Sequence, residues 1–362
     1  MNTQEPDVSV LQKKPHFEIL DGLRGIAAVA VVIFHFMEFA VPDYHDNFIA
    51  HSYLAVDFFF CLSGFVIAYA YDRKIASIGL GRFLKLRLIR LHPLVFIGAL
   101  IGLLTFVFDP FSNLYEKYGA GQGFLLFLSS AFLVPYPLVT ERYFNLFHLN
   151  PPTWSLFWEY IANIIYAVLL VRLKNKVLWG LTLLAAAALF YEAYQSRFLG
   201  VGWGGDNFLG GGIRVAFSFL AGMLIYRSGW IIKSRLGFVG LSGLLALAFL
   251  FPYSDQINFI ADPLIVVFYL PLLVALGAGA TLRPAFRKIC KLSGELSYPL
   301  YMIHYGFLWI FLSYVAKMRP TLNEMVPIIV AGTLLLIGLA YLVWKFVDKP
   351  IRKYMSPRLG SS

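Results

Sequence analysis

Apolar runs of membrane length recur ten times in this chain, at about 22–40, 53–71, 91–109, 152–171, 178–194, 211–227, 237–252, 263–281, 296–315 and 327–346. Each is long enough, or nearly so, to cross a hydrocarbon core of about 30 Å. In lipid, every backbone N–H and C=O must find its partner within the protein, which leaves the helix as the solution for runs of this kind. The predicted fold is therefore all-α: a polytopic integral membrane protein of about ten transmembrane helices. Composition agrees, with 59% of the 362 residues hydrophobic and only 14% charged, where soluble proteins are about a quarter charged. The first run follows about twenty mostly polar residues and precedes no small-residue cleavage site, so it is expected to stay as a span and not to act as a signal peptide. Cys61 and Cys290 fall in or beside different spans and imply neither a disulfide framework nor a metal site. The net charge of +10 is read as basic cytoplasmic loops, not as affinity for nucleic acid.

One further stretch, 123–139, is apolar but short, and Pro135 and Pro137 break its end. Lys/Arg bias decides how it runs. If it re-enters without crossing, six basic clusters fall on one side: Lys13/Lys14, 73–90, 172–176, 227–235, 283–291 and 345–358. About 24 of the 30 basic residues then lie together, with both termini cytoplasmic. If it crosses, the first two clusters oppose the last four. The expected organisation is a tail at 1–20, a transmembrane domain at 21–348 and a tail at 349–362. The longest opposite-side loop is 110–151, which holds the re-entrant segment. Chemistry must then come from residues of the bundle and its loops.

Ionisable residues within apolar spans mark functional sites by default. Arg24 and His35 lie eleven residues apart in the first span. That is close to three helical turns, which puts both on one face about 16 Å apart. His35 is the candidate general base, since histidine takes and returns protons near neutral pH, and Glu38 one turn on is placed to orient it. The bland alternative is a histidine hydrogen-bonded to a neighbouring helix as packing glue. Asp57, near the outer end of the second span, is expected at the height of His35, to orient the imidazole or bind acceptor hydroxyls. Ser63 and Gly64 read as close helix packing through small residues. Arg87 and Arg90 share a face at the cytoplasmic boundary of the third span, with Lys85 nearby. Two guanidiniums there can grip phosphates through paired hydrogen bonds, or simply anchor the helix to headgroups. Pro93 is expected to cap or kink that helix. In the fourth span Trp154, Ser155 and Glu159 are candidates: Glu159 sits deep enough to face the interior, where it is expected to serve as an acid/base partner that orients His35 or the acceptor, while the tryptophans also suit an interfacial belt. Tyr301 and His304 in the ninth span are candidates for substrate contact or structural glue.

Taken in order, these pieces resemble the membrane-bound acyltransferase-3 family of bacteria. The resemblance runs from Phe17 to about Tyr354. It rests on Arg24/His35, on Val-Asp-Phe-Phe-Phe-Cys-Leu-Ser-Gly-Phe at 56–65, and on Arg87/Arg90. Trp-Ser-Leu-Phe-Trp-Glu at 154–159, Ser-Tyr-Pro-Leu-Tyr-Met-Ile-His at 297–304 and Asp348-Lys-Pro350 complete it. It implies transfer of an acyl group, acetyl by default, from cytoplasmic acetyl-CoA or another acyl-CoA to a hydroxyl of an extracytoplasmic carbohydrate. By resemblance His35 is the catalytic residue, and Arg24, Arg87 and Arg90 belong to the acyl-CoA side. The expected location is the bacterial inner membrane, with a lipid-linked or membrane-proximal glycan as acceptor. Leu94 stands where the family often has an aromatic residue, and Asp348 where it usually has Glu. Members with a fused esterase-like domain are common, and this chain resembles the stand-alone type. The competing reading is a proton-coupled transporter or flippase with His, Asp and Glu as its relay. No convincing internal repeat of the transporter kind is visible.

Overall fold

The computed structural model describes residues 16–355. Fourteen α-helical segments make up the bundle, with two isolated β-bridges as the only extended pairing among the described residues. The principal helices are α1 (Glu18–Ala40), α2 (Ala55–Tyr71), α4 (Leu80–Val107), α5 (Leu114–Phe132), α6 (Thr153–Val168), α7 (Asn175–Ser196), α8 (Phe208–Arg227) and α9 (Gly237–Phe249). After them come α10 (Asn258–Leu264) and α11 (Leu270–Gly279), joined by a π-helical turn, then α12 (Arg287–Met318), α13 (Leu322–Val343) and α14 (Lys349–Met355). The short α3 (Ile75–Ile78) links α2 to α4.

All ten predicted runs are helical, and eight helices are long and apolar enough to cross a membrane. The other two are shorter. α9 has 13 residues and α6 has 16, so α6 covers only about 24 Å of a core of roughly 30 Å. The third helix begins well before its predicted start. α4 runs 28 residues from Leu80, carrying Arg82 to Arg90 on the same rod, and it continues through Pro93 to Val107 without ending there.

The stretch 123–139 does not cross. α5 is broken at Gly119, whose positive φ interrupts the helix, and its second half runs down α4 until Phe127 meets Phe96 at 5.5 Å between ring centroids. Leu133 then takes a left-handed conformation that ends the helix. The chain returns beside it: the Tyr136 hydroxyl donates to Gln122, and Arg142 reaches Asp109 just past the end of α4. Arg142 is buried, with its guanidinium 4.8 Å from the Trp309 ring, and Ser313 donates to the same Asp109 carboxylate at 2.7 Å. Lys117 and Tyr118 clip the loop from outside by bonding Glu141. Those bonds, led by the one from Lys117, hold the Glu141 carboxyl at about 2, so it stays ionised into strong acid.

With that segment re-entering, the helices alternate so that the described basic clusters gather at one end of the bundle. Contacts across that end agree. Glu18 pairs with Arg287, and Asp72 accepts from both Arg227 and Tyr166. Lys13, Lys14 and Arg358 lie outside the described residues. The opposite end holds Asp43, His45, Asp255 and the loop built on Arg142.

Helix pairs close together through small residues. A Cβ on Gly64 would lie 2.0 Å from the Phe219 carbonyl oxygen, and one on Gly222 would lie 2.0 Å from that of Cys61. α2 and α8 therefore touch backbone to backbone, as Gly64 led us to expect. That approach delivers Arg214 of α8 to Asp57 of α2. Arg214 Nη2 lies 2.6 Å from the carboxylate, and the guanidinium also donates to the Val201 and Tyr53 carbonyls at 2.8 Å each. Both side chains are buried to within 1% exposure, so removing either partner leaves an uncompensated charge.

Arg214→Met and Asp57→Leu should each lower stability by about 3–5 kcal/mol. The double variant should recover most of that loss, since apolar groups then replace the pair together. Thermal unfolding in detergent, followed by size-exclusion monodispersity, reads both effects.

Candidate functional site

Two cavities enter the bundle from opposite ends. The outer one, about 260 Å³, opens at the end away from the basic clusters. α1 gives it His35, Glu38 and Phe39; α6 begins beneath it with Pro151, Pro152 and Trp154. Half of the lining residues are aromatic, among them Phe34, Tyr44, Trp203, Tyr305 and Trp309, and Tyr143 of the clipped loop overhangs the mouth.

His35 is oriented from its own helix. Its Nδ1 lies 2.9 Å from Glu38 Oε2, and the Tyr44 hydroxyl donates to Glu38 Oε1 at 2.6 Å. A carboxylate on Nδ1 places the ring proton there, which leaves Nε2 as the basic nitrogen. Nε2 has no hydrogen bond among the described residues, and the ring lines the cavity. Tyr305 packs edge-on to His35 at 4.8 Å and lines the same cavity, its hydroxyl without a hydrogen bond among the described residues. His304 stacks behind His35 at 5.7 Å and is fully buried, with Nδ1 donating to the Leu300 carbonyl.

The inner cavity, about 180 Å³, opens at the basic end. Arg24, Arg87 and Arg90 all line it, together with Ser63, Ser155 and Glu159. Arg24 is tied back to α12, donating to Ser297 Oγ at 2.9 Å and to the Gly294 carbonyl at 2.7 Å. Arg87 pairs with Glu159 at 2.9 Å, and the same carboxylate oxygen accepts from Ser63 at 2.8 Å. Arg90 has no ion-pair partner among the described residues, so its charge is available within the cavity. Lys85 is exposed on α4 and lies outside the lining.

The structure thus brings Arg24, Arg87, Arg90, Glu159 and Ser155 together, and His35 with Trp154 and Tyr301. It separates two expected pairs. Asp57 does not orient His35, because Arg214 holds it fully buried; that role falls to Glu38. Glu159 is likewise apart from His35, held by Arg87 around the other cavity. Ser63, read as a packing residue, is a hydrogen-bond donor to Glu159. Sequence reasoning passed over Arg214, though the signal was present: an arginine inside the apolar run 211–227 is as conspicuous as His35 in the first. Tyr44 and Tyr305 carried no such signal.

The arrangement is that of a multi-pass membrane protein with a histidine–carboxylate pair at one cavity and an arginine cluster at another. The family model described as an acyltransferase domain, acyltransferase-3, matches residues 17–345, so the chain belongs to that family. Among curated relatives, a protein described as protein 2 in the picA locus of Rhizobium radiobacter is 36% identical over 160 residues, covering 42% of this chain and 81% of that protein. Proteins named "Putative O-acetyltransferase" from Staphylococcus aureus strains COL and N315 are 25% identical over 367 residues. That match covers 92% of this chain, which spans 57% of their length. No solved structure matches the chain significantly.

The Arg87–Glu159 pair is partly buried, at 15% and 16% side-chain exposure. A double-mutant cycle with Arg87→Ala and Glu159→Gln should return a favourable coupling of about 1–3 kcal/mol in thermal unfolding. Additive effects would show that the two side chains are neighbours without mutual dependence.

Proposed function

We propose that this protein is an integral-membrane O-acyltransferase that moves an acyl group, acetyl by preference, from cytoplasmic acyl-CoA to a hydroxyl of an extracytoplasmic carbohydrate. The observation that carries this reading is the pair of cavities: an oriented histidine base lines one, an arginine cluster lines the other, and they open at opposite ends of the bundle. The density of positive charge at the inner end supports a cytoplasmic assignment for it and for both termini. Acyl-CoA is the substrate that fits an arginine-lined inner entrance. Its phosphates match the unpaired guanidinium of Arg90, with Arg24 and Arg87 alongside. A cavity of about 180 Å³ behind these guanidiniums suits a slender thioester arm better than a nucleotide, which supports docking of the nucleotide at the mouth. On the outer side, an aromatic-rich cavity suits the apolar faces of sugar rings, with polar groups left to hold hydroxyls.

In the proposed step His35 Nε2 removes the proton from the acceptor hydroxyl as its oxygen attacks the thioester carbonyl. The new C–O bond forms, the C–S bond breaks, and the departing CoA sulfur takes the proton back from His35. Glu38 stabilises the imidazolium formed between these events, and Tyr44 fixes Glu38.

Purified protein in liposomes, given acetyl-CoA on the arginine side and host membrane glycolipid as acceptor, should release free CoA and acylate the lipid. His35→Ala should lower this by about 10²- to 10⁴-fold, the usual contribution of a positioned base. Glu38→Gln should lower the rate by less and leave the affinity for acetyl-CoA unchanged. Arg90→Ala should weaken acetyl-CoA binding by roughly 10-fold or more, the worth of a charge-assisted hydrogen bond, with normal folding. Proton-coupled flux of glycolipid with no acyl-CoA consumed would favour a transporter and overturn the proposal.

A further inference from the structure

The two cavities have two lining residues in common, Val56 of α2 and Tyr301 of α12. Both are almost wholly enclosed, at 7% and 6% exposure. They are a wall one side chain thick, with the arginine cavity on one face and the histidine cavity on the other. α6 supplies the third edge: Trp154 lines the outer cavity, and its neighbour Ser155 lines the inner one.

The wall is fastened by a bond that is easily released. Ser155 Oγ donates to the Pro152 carbonyl at 2.9 Å, so across its 2.9 Å contact with Tyr301 it accepts the phenolic proton. Phe59 packs edge-on against the Tyr301 ring at 5.7 Å. His304 lies tilted against the same ring at 6.0 Å, so the hydroxyl has a single neutral hydrogen bond among the described residues and the ring has two aromatic contacts. Val56 is different. A β-branched side chain on a helix is confined to one strongly preferred rotamer, so it forms the fixed jamb against which the tyrosine closes.

On the reading given above, the donor phosphates dock on one side of this wall and His35 works on the other. Every transferred acyl group must then pass it. We infer that Val56 and Tyr301 form the gate between the donor and acceptor compartments, and that the width Val56 leaves sets the length of acyl chain the enzyme transfers. Tyr301 leaves Ser155 only while the acyl group passes and otherwise keeps the bond. The gate thereby keeps water of the outer cavity off a docked thioester that waits for its acceptor.

The test is the rate of CoA release from acetyl-, propionyl-, butyryl- and hexanoyl-CoA by the full chain in liposomes containing host membrane glycolipid. Val56→Ala, which removes two methyl groups, should raise the butyryl-to-acetyl rate ratio at least tenfold. Val56→Ile should lower the propionyl-to-acetyl ratio. Tyr301→Phe keeps the ring and loses the tie to Ser155, so it should raise CoA release in the absence of glycolipid several-fold over wild type. Ratios unchanged within twofold in both Val56 variants, or all chain lengths falling in proportion, would overturn the gate and leave the transferase reading intact. Wild-type protein that consumes no acyl-CoA of any length would overturn the transferase reading itself.

Discussion

A charge enclosed in a membrane bundle is costly unless it is paired, and this fold is organised by that constraint. Four buried or partly buried arginines are each bound to a carboxylate on a different element. Arg214 of α8 holds Asp57 of α2, Arg87 of α4 holds Glu159 of α6, Arg142 of the re-entrant loop holds Asp109, and Arg227 of α8 holds Asp72 after α2. In lipid, apolar contact gives little preference for one helix neighbour over another. Ion pairs of this kind are directional and costly to break, so they fix which helices are neighbours and at what height. The cavities are the spaces these ties leave between them.

Arg24, Arg87 and Arg90 come from two helices far apart in sequence and meet at one opening. Two of the three are engaged by protein partners, which positions their guanidiniums while keeping them at the cavity wall. Arg90 retains a free charge. His35 takes its polar contacts from its own neighbourhood, from Glu38 one turn away and through it Tyr44 in the following loop, while His304 and Tyr305 of α12 pack against its ring. A local clamp of this kind fixes the tautomer of the ring without a carboxylate from another helix. The outer cavity depends on long-range packing as well, since the Arg142–Asp109 pair holds the loop whose Tyr143 overhangs the mouth.

Much of the architecture was legible because lipid makes a strong demand on sequence. Runs of membrane length must be helical, and the arginine-to-histidine spacing of the first span placed both groups on one face. The re-entrant segment was legible for a different reason: only that path gathers the basic clusters on one side. Helix lengths were less readable. α6 stops short of a full crossing because it ends at Val168, where the chain turns into a 3₁₀ segment at Leu170–Arg172, and α4 continues through Pro93. Hydropathy alone carries neither fact.

The partners of the ionisable residues were the least legible part. Asp57 and Glu159 sit at heights where either might have met His35, and nothing in their spans names Arg214 or Arg87 as the partner instead. The sequence by itself determined that this is a helical membrane protein with charge at one end of its first span and a histidine toward the other, since helical period and the cost of burial in lipid are local properties. Tertiary structure alone decided that cavities open at both ends of the bundle, that Val56 and Tyr301 lie between them, and that Asp57 is taken by Arg214, which leaves His35 to Glu38. Those facts depend on which helix faces turn toward one another, and that is set by backbone approach at Gly64 and Gly222 and by ion pairs between residues as much as 269 positions apart.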